Sequence, residues 1–227
     1  MALDLRKCGF GNVLLMCAGM LRDSKEPPEL YHDNPDDELK ILDRSLFRMT
    51  DDPSTIDPRL NARYCNLSTL ADPVIGDIIR KIAHIPKSVV VEEREGVDAG
   101  FCFRVRIPAL DGDVELMTGS AIEAMIRIMT RYQKPLACGN DRALLERVRE
   151  RVPWSVIVPC SSWGVRNAED HIAQWYALSR CPIVFHGIGG NGCVTSTFAP
   201  VAAIFGNAGL VGIDPLGNAC YGPKYHW

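Results

Sequence analysis

This chain predicts an α/β fold whose sheet is mostly parallel in the C-terminal half, and three observations predict it. From Trp154 onward, short apolar runs alternate with helical patterns. The run Cys181 to His186 leads into a glycine turn, Gly187-Ile-Gly-Gly-Asn-Gly192. A second run, Leu210 to Ile213, ends at Asp214, 22 residues after Gly192. Strand–helix–strand alternation implies parallel strands joined by helical crossovers. Glycines at 187, 189 and 192 followed by an acid at that distance make the sheet Rossmann-like.

The elements follow in order. Asn12 to Cys17 is an apolar run read as a buried strand. Residues 22–37, acidic and rich in proline, form a loop. Asp36 to Met49 reads as a helix with acids at its positive end. Thr50 to Pro58 is a further loop. Asp72-Pro73 opens a helix in N-cap and N1 positions, with Val74, Ile75, Ile78, Ile79 and Ile82 on its apolar face. Ser88 to Glu92 is strand-like. Phe101 to Ile107 alternates apolar and basic, which places Arg104 and Arg106 on one strand face, solvated or holding an anion. Asp111-Gly112 turns into Val114 to Met117, so an antiparallel segment is expected around residues 88–117. Ser120 and Glu123 form a capping box, and the helix they start stops at Pro135. A charged helix runs from Asn140 or Asp141 through Arg151. Strand 154–158, helix 167–180, strand 181–186, helix 193–207 and strand 210–213 complete the chain. One domain over 1–227 is expected, irregular over 1–86, with a βαβ core at 152–216.

Composition narrows the function. The chain has 227 residues, 47% of them hydrophobic and 23% charged, with a net charge of −3. No basic run favours a nucleic-acid partner, and no apolar run approaches the roughly 20 residues of a membrane span. The N-terminal residues lack the pattern of a signal peptide, so a cytoplasmic location is expected. Nine cysteines are scattered without Cys-x-x-Cys pairs or zinc spacing, so no metal site is expected.

The glycine turn carries the functional expectation. Gly187 would permit a tight turn, Gly189 a close approach to phosphate, and Gly192 the packing of helix on strand. Backbone N–H groups of 189–193 would cradle an anion at a helix N-terminus, and Asp214 would accept the ribose hydroxyls of NAD or another nucleotide. Pro200 inside the following helix counts against this, because proline breaks a helix interior. The structural alternative is a turn that only packs, with Asp214 capping it. A second expectation is thiol hydrolase or redox chemistry by Cys160 or Cys193 with His186 as base. A third is a non-enzymatic interaction protein whose aromatic tail, 219–227, docks on a partner. A small-molecule ligand is the expected partner, and a homo-oligomer is compatible with the sequence.

Three partial resemblances touch these segments. Gly-Ile-Gly-Gly-Asn-Gly with Gly-Leu-Val-Gly-Ile-Asp-Pro resembles the adenylate-binding turn of ubiquitin-activating-type enzymes, without the residues that follow the aspartate there. Gly192-Cys193-Val194-Thr195 resembles the nucleophile segment of isochorismatase-like hydrolases. Their N-terminal aspartate is replaced here by Met16-Cys17, and their lysine has no counterpart. The segments Ser161 to Gly164 and Pro215 to Asn218 resemble selenoprotein subunits of glycine and proline reductases, with Trp163 at the selenocysteine position. None assigns a family.

Overall fold

A computed structural model describes residues 1–5, 10–31, 38–64, 72–87, 89, 95–109, 112–158, 168–189 and 196–221. These residues gather into two compact units, Met1–Ser88 and Val89–Trp227, where the sequence suggested one domain.

The first unit is more regular than its composition suggested. Three short parallel strands, β1 (Ala2–Asp4), β2 (Glu29–Tyr31) and β3 (Arg48–Thr50), form a sheet in that order. Residues 12–17, expected as a strand, belong to helix α1 (Phe10–Asp23). Leu14, Leu15, Met16 and Cys17 are all fully buried. A helix covered on every side has no polar stripe, so its sequence cannot be told from a buried strand by period. The helix expected over 36–49 is two 3₁₀ turns, Glu38–Ile41 and Arg44–Leu46, followed by β3. Asp43 divides them: its carboxylate accepts the Ser45 N–H and starts the second turn. Helix α2 (Pro58–Tyr64) follows, then α3 (Pro73–Ile82) with the expected Asp72 cap, which accepts from the Val74 N–H at 3.0 Å. Val74, assigned to the apolar face, is exposed. Asp23 at the end of α1 accepts from Arg22, Arg63 and Tyr64, and Arg22 reaches on to Asp72. That network ties the ends of α1, α2 and α3 together.

The second unit carries the predicted sheet. Strands β4 (Ala99–Phe103), β7 (Pro135–Gly139), β8 (Val156–Ile157), β9 (Ile183–Gly187) and β10 (Gly209–Ile213) are parallel, and β11 (Ala219–Tyr221) adds an antiparallel edge. The order across the sheet is β11-β10-β9-β4-β7-β8. Strands 156–157, 183–187 and 209–213 therefore share one mostly parallel sheet. The antiparallel excursion is the hairpin β5 (Arg106–Ala109) with β6 (Gly112–Glu115). The strand expected over 88–92 lies almost wholly outside the described residues, Val89 excepted.

Two strands differ from expectation. Phe101 to Ile107 is not one half-exposed strand. β4 ends at Phe103, all five of its residues are buried, and β5 restarts at Arg106. β7 was not foreseen, because Pro135 reads as a helix stop. Proline is tolerated as the first residue of a strand, and Ala137, Cys138 and Gly139 are small because both sheet faces above them are covered.

Helices α4 (Gly119–Met129) and α5 (Arg142–Arg151) pack on one face, and α6 (Ala168–Ser179) and α7 (Phe198–Gly206) pack against each other on the opposite one. Phe101, Phe103, Phe185, Val211 and Ile213 form the core with α4 and α5, and the Phe101 and Phe185 rings stack at 4.6 Å. By alternation, Cys102, Cys138 and His186 face α6 and α7. The α4 cap is Thr118, whose hydroxyl accepts from Ala121 N–H, two residues before the predicted Ser120. Glu123 does not close a capping box; it pairs with Arg147 and Arg151 of α5. Pro200 is the third residue of α7, in the first turn, where its missing N–H leaves no intrahelical bond unmade. The objection it raised to the helix therefore lapses. Among the described residues, no helix is long and apolar enough to cross a membrane.

Gly206 closes α7 against the end of α6, and a Cβ there would collide with the Ser179 carbonyl. A backbone atom cannot move aside as a rotamer can. Gly206→Ala is expected to lower stability by about 1–3 kcal/mol in denaturant unfolding. Gly209→Ala, whose Cβ would meet its nearest neighbour at an ordinary 3.5 Å, is expected to change little.

Candidate functional site at the strand-order reversal

In chain order, the parallel strands run outward from β4 through β7 to β8, then return to the other side of β4 as β9 and β10. The order reverses between β4 and β9. At such a point the crossover helices leave to opposite faces and open a crevice beyond the strands' carboxyl ends, where open α/β sheets bind ligands. Arg104 follows β4 at that end of the sheet, and Gly187, Ile188 and Gly189 close and follow β9.

Arg104 is the first residue after β4, at the reversal. Its guanidinium carbon lies 4.4 Å from the centroid of the Phe198 ring, at the start of α7. Its Nη1 is buried and has no hydrogen-bond partner among the described residues. A buried donor on a cation costs free energy until it meets an acceptor, preferably an anion. Arg106 opens β5 instead and does not share a strand with Arg104.

Behind Arg104 lies a row of three side chains in register across the sheet: Cys138 on β7, Cys102 on β4 and His186 on β9. The Cys138 thiol donates to Cys102 and holds the Cys102 thiol below its usual range, helped by the charge and the backbone N–H of Arg104. Burial, together with that same bond, pushes Cys138 well up. His186 is 2% exposed, and burial lowers its pKa to about 4. At neutral pH it is an uncharged imidazole inside the sheet. Cys181, at the end of α6, is pushed up to about 12 by burial and is inert.

The sequence-predicted residues fall as follows. Gly187 is the last residue of β9, paired with Ile213, and a Cβ on it would collide with the Met117 side chain. Its lack of a side chain serves packing at this position. Gly189 follows in irregular backbone. Gly192, Cys193 and Cys160 lie outside the described residues, as do the N–H groups of 190–193. Asp214 follows β10 and organises a turn. Its carboxylate accepts from the N–H of Leu216 at 2.9 Å, the N–H of Asn218 at 2.8 Å and the Asn218 side-chain amide at 3.0 Å. These bonds, the Asn218 side chain foremost, hold its pKa below the ordinary carboxylate value. Gly217 in that turn has φ +87°, a conformation glycine takes without strain. The turn is fastened to α4 by Thr118, whose hydroxyl donates to the Pro215 carbonyl at 2.7 Å.

Comparison with known proteins places this arrangement. Two solved structures of the fucosyltransferase NodZ superpose over 96% of this chain. The chain shares its fold with NodZ. One is the NodZ alpha-1,6-fucosyltransferase co-crystallised with GDP, at TM-score 0.60, 14% identity and 96% coverage of that chain. The other is the Bradyrhizobium enzyme, at TM-score 0.55, 15% identity and 97% coverage. No family model and no curated protein matches the sequence. Among the described residues, no group of three or more His, Cys, Asp or Glu side chains could hold a metal ion.

The sequence left Arg104 on a strand face either solvated or holding an anion, and gave no sign of Phe198 or of the Cys102–Cys138 pair. One signal was present: an arginine directly after the five-residue apolar run Ala-Gly-Phe-Cys-Phe marks a buried strand's carboxyl end.

Two outcomes follow from the titrating groups. An unfolded histidine near pKa 6.5 binds a proton that folded His186 releases down to about pH 4. Stability is therefore lost as pH falls from about 6.5 toward 4, since the unfolded state binds more protons there. Relative to His186→Gln, the wild type is expected to weaken across that window and to run parallel to it above; denaturant unfolding at stepped pH would show this. Asp214→Asn removes a charged acceptor from three hydrogen bonds. It is expected to cost about 1 kcal/mol in thermal unfolding while leaving nucleotide affinity unchanged.

Proposed function

We propose that this protein is an enzyme that binds a nucleoside-diphosphate sugar in the crevice between β4 and β9 and transfers the sugar. Arg104 is the residue we assign to the diphosphate. The observation that carries this reading is its buried, unpaired Nη1 at the strand-order reversal. A neighbour of the same fold, co-crystallised with GDP, supports the ligand class.

The chemistry fits the residue. In a glycosyl transfer an acceptor hydroxyl bonds to the sugar carbon and gives up its proton to solvent, while the bond from that carbon to the terminal phosphate oxygen breaks and negative charge grows on the departing diphosphate. A fixed guanidinium beside that oxygen stabilises the charge more in the transition state than in the ground state. With His186 held neutral, Arg104 is a cation placed to meet that charge. The N–H groups after β9, at Gly189 and beyond, would supply further donors, as the glycine turn suggested. NAD with Asp214 on its ribose is the less favoured ligand, because the Asp214 carboxylate already serves the 214–218 turn.

Calorimetric titration with GDP, UDP and NAD tests the reading. A nucleoside diphosphate is expected to bind more tightly than NAD. Arg104→Met is expected to weaken that binding by about 10- to 100-fold, the value of a charge-assisted hydrogen bond. Absence of binding by either diphosphate at millimolar concentration would exclude it.

A further inference from the structure

We infer that Phe198 is the positioning residue for Arg104: its ring is the platform that fixes the guanidinium at the strand-order reversal. The inference rests on the diphosphate reading of the same crevice. Arginine has a long, freely rotating side chain, and ordering it costs conformational entropy. Something must hold it if it is to meet a phosphate already aligned. A carboxylate partner would do so by occupying the in-plane N–H groups, and no carboxylate pairs with Arg104 among the described residues. An aromatic ring attracts the flat face of the guanidinium instead and leaves its N–H edge for a ligand. The 4.4 Å separation and the unpaired Nη1 are the two halves of that arrangement.

The ring is itself fixed. Phe198 is 3% exposed and is the first residue of α7, and its N–H donates to the Ser196 hydroxyl at 3.3 Å. Thr197, at the N-cap, makes no side-chain capping bond. The start of α7 is thus set by Ser196 and by the packing of the ring. Cys102 lies behind, with its pKa lowered in part by the Arg104 charge.

The test is a double-mutant cycle read by calorimetry with GDP on the full chain. Phe198→Leu keeps the site apolar and removes the π face; it is expected to weaken GDP binding about threefold to tenfold. Phe198→Tyr, which retains the ring, is expected to restore binding close to wild type. In an Arg104→Met background, Phe198→Leu is expected to cause no further loss, because its effect acts through Arg104. Circular dichroism checks folding; if Phe198→Leu does not fold, Phe198→Met takes its place in the cycle. Equal losses in both backgrounds, or wild-type affinity in Phe198→Leu, would overturn the positioning role while leaving the diphosphate reading intact. A wild type that binds neither GDP nor UDP would overturn both.

Discussion

Ala99 to Phe103 is hydrogen-bonded to β7 along one edge and β9 along the other, with α4 above one face and α6 above the other. No side chain in such a strand reaches water, so it carries only small or apolar groups, and each must fit the space a neighbour leaves. Gly100 is open to the Cys181 sulfur and Leu178, where a Cβ would sit 2.9 and 3.0 Å away. Gly139 on β7 leaves room for the Phe103 carbonyl, 2.5 Å from where its Cβ would be. Close packing on both faces fixes how the neighbouring strands register. The register in turn decides that the first charged residue after the strand, Arg104, emerges at the reversal of strand order.

The electrostatics of the crevice follow from that enclosure. Burial removes the charge that His186 could carry and raises the thiols of Cys138 and Cys181, while the bond from Cys138 lowers that of Cys102. Against that background one guanidinium matters. Among the described residues no carboxylate pairs with it, its Nη1 has no hydrogen-bond partner, and its carbon lies 4.4 Å from the Phe198 ring centroid. Asp214 is the opposite case. Its spacing from the glycines singled it out, and its oxygens accept from the N–H groups of Leu216 and Asn218 and from the Asn218 side chain.

Much of the fold was legible because parallel strands and their crossover helices differ in length and period. The segments at 156–157, 183–187 and 209–213 were found, as were α3, α5, α6 and most of α7. Elements without that contrast were not. Helix α1 is apolar on all sides, β7 begins with a proline and contains only small residues after Leu136, and β4 was merged with β5 because Arg104 and Arg106 imitate an alternating strand. Asp72 was correctly placed as a cap, since Asp-Pro constrains only its own backbone. Thr118 was missed in favour of Ser120 because two hydroxyls bracket the same glycine, and only the packing of the 214–218 turn on Thr118 selects between them.

The sequence by itself determined the fold class, the helix starts set by local side-chain bonds, and the glycine-rich end of β9. Each depends on neighbours within a few residues. The tertiary structure alone decided the order of strands, and with it the place of the crevice, because pairing β4 between β7 and β9 joins residues that are far apart in the chain. It also brought Arg104 and Phe198, far apart in the sequence, together. Whether an arginine is solvated or held on a ring depends on what is packed against it, and that partner is brought by α7 only after the sheet has closed around β4.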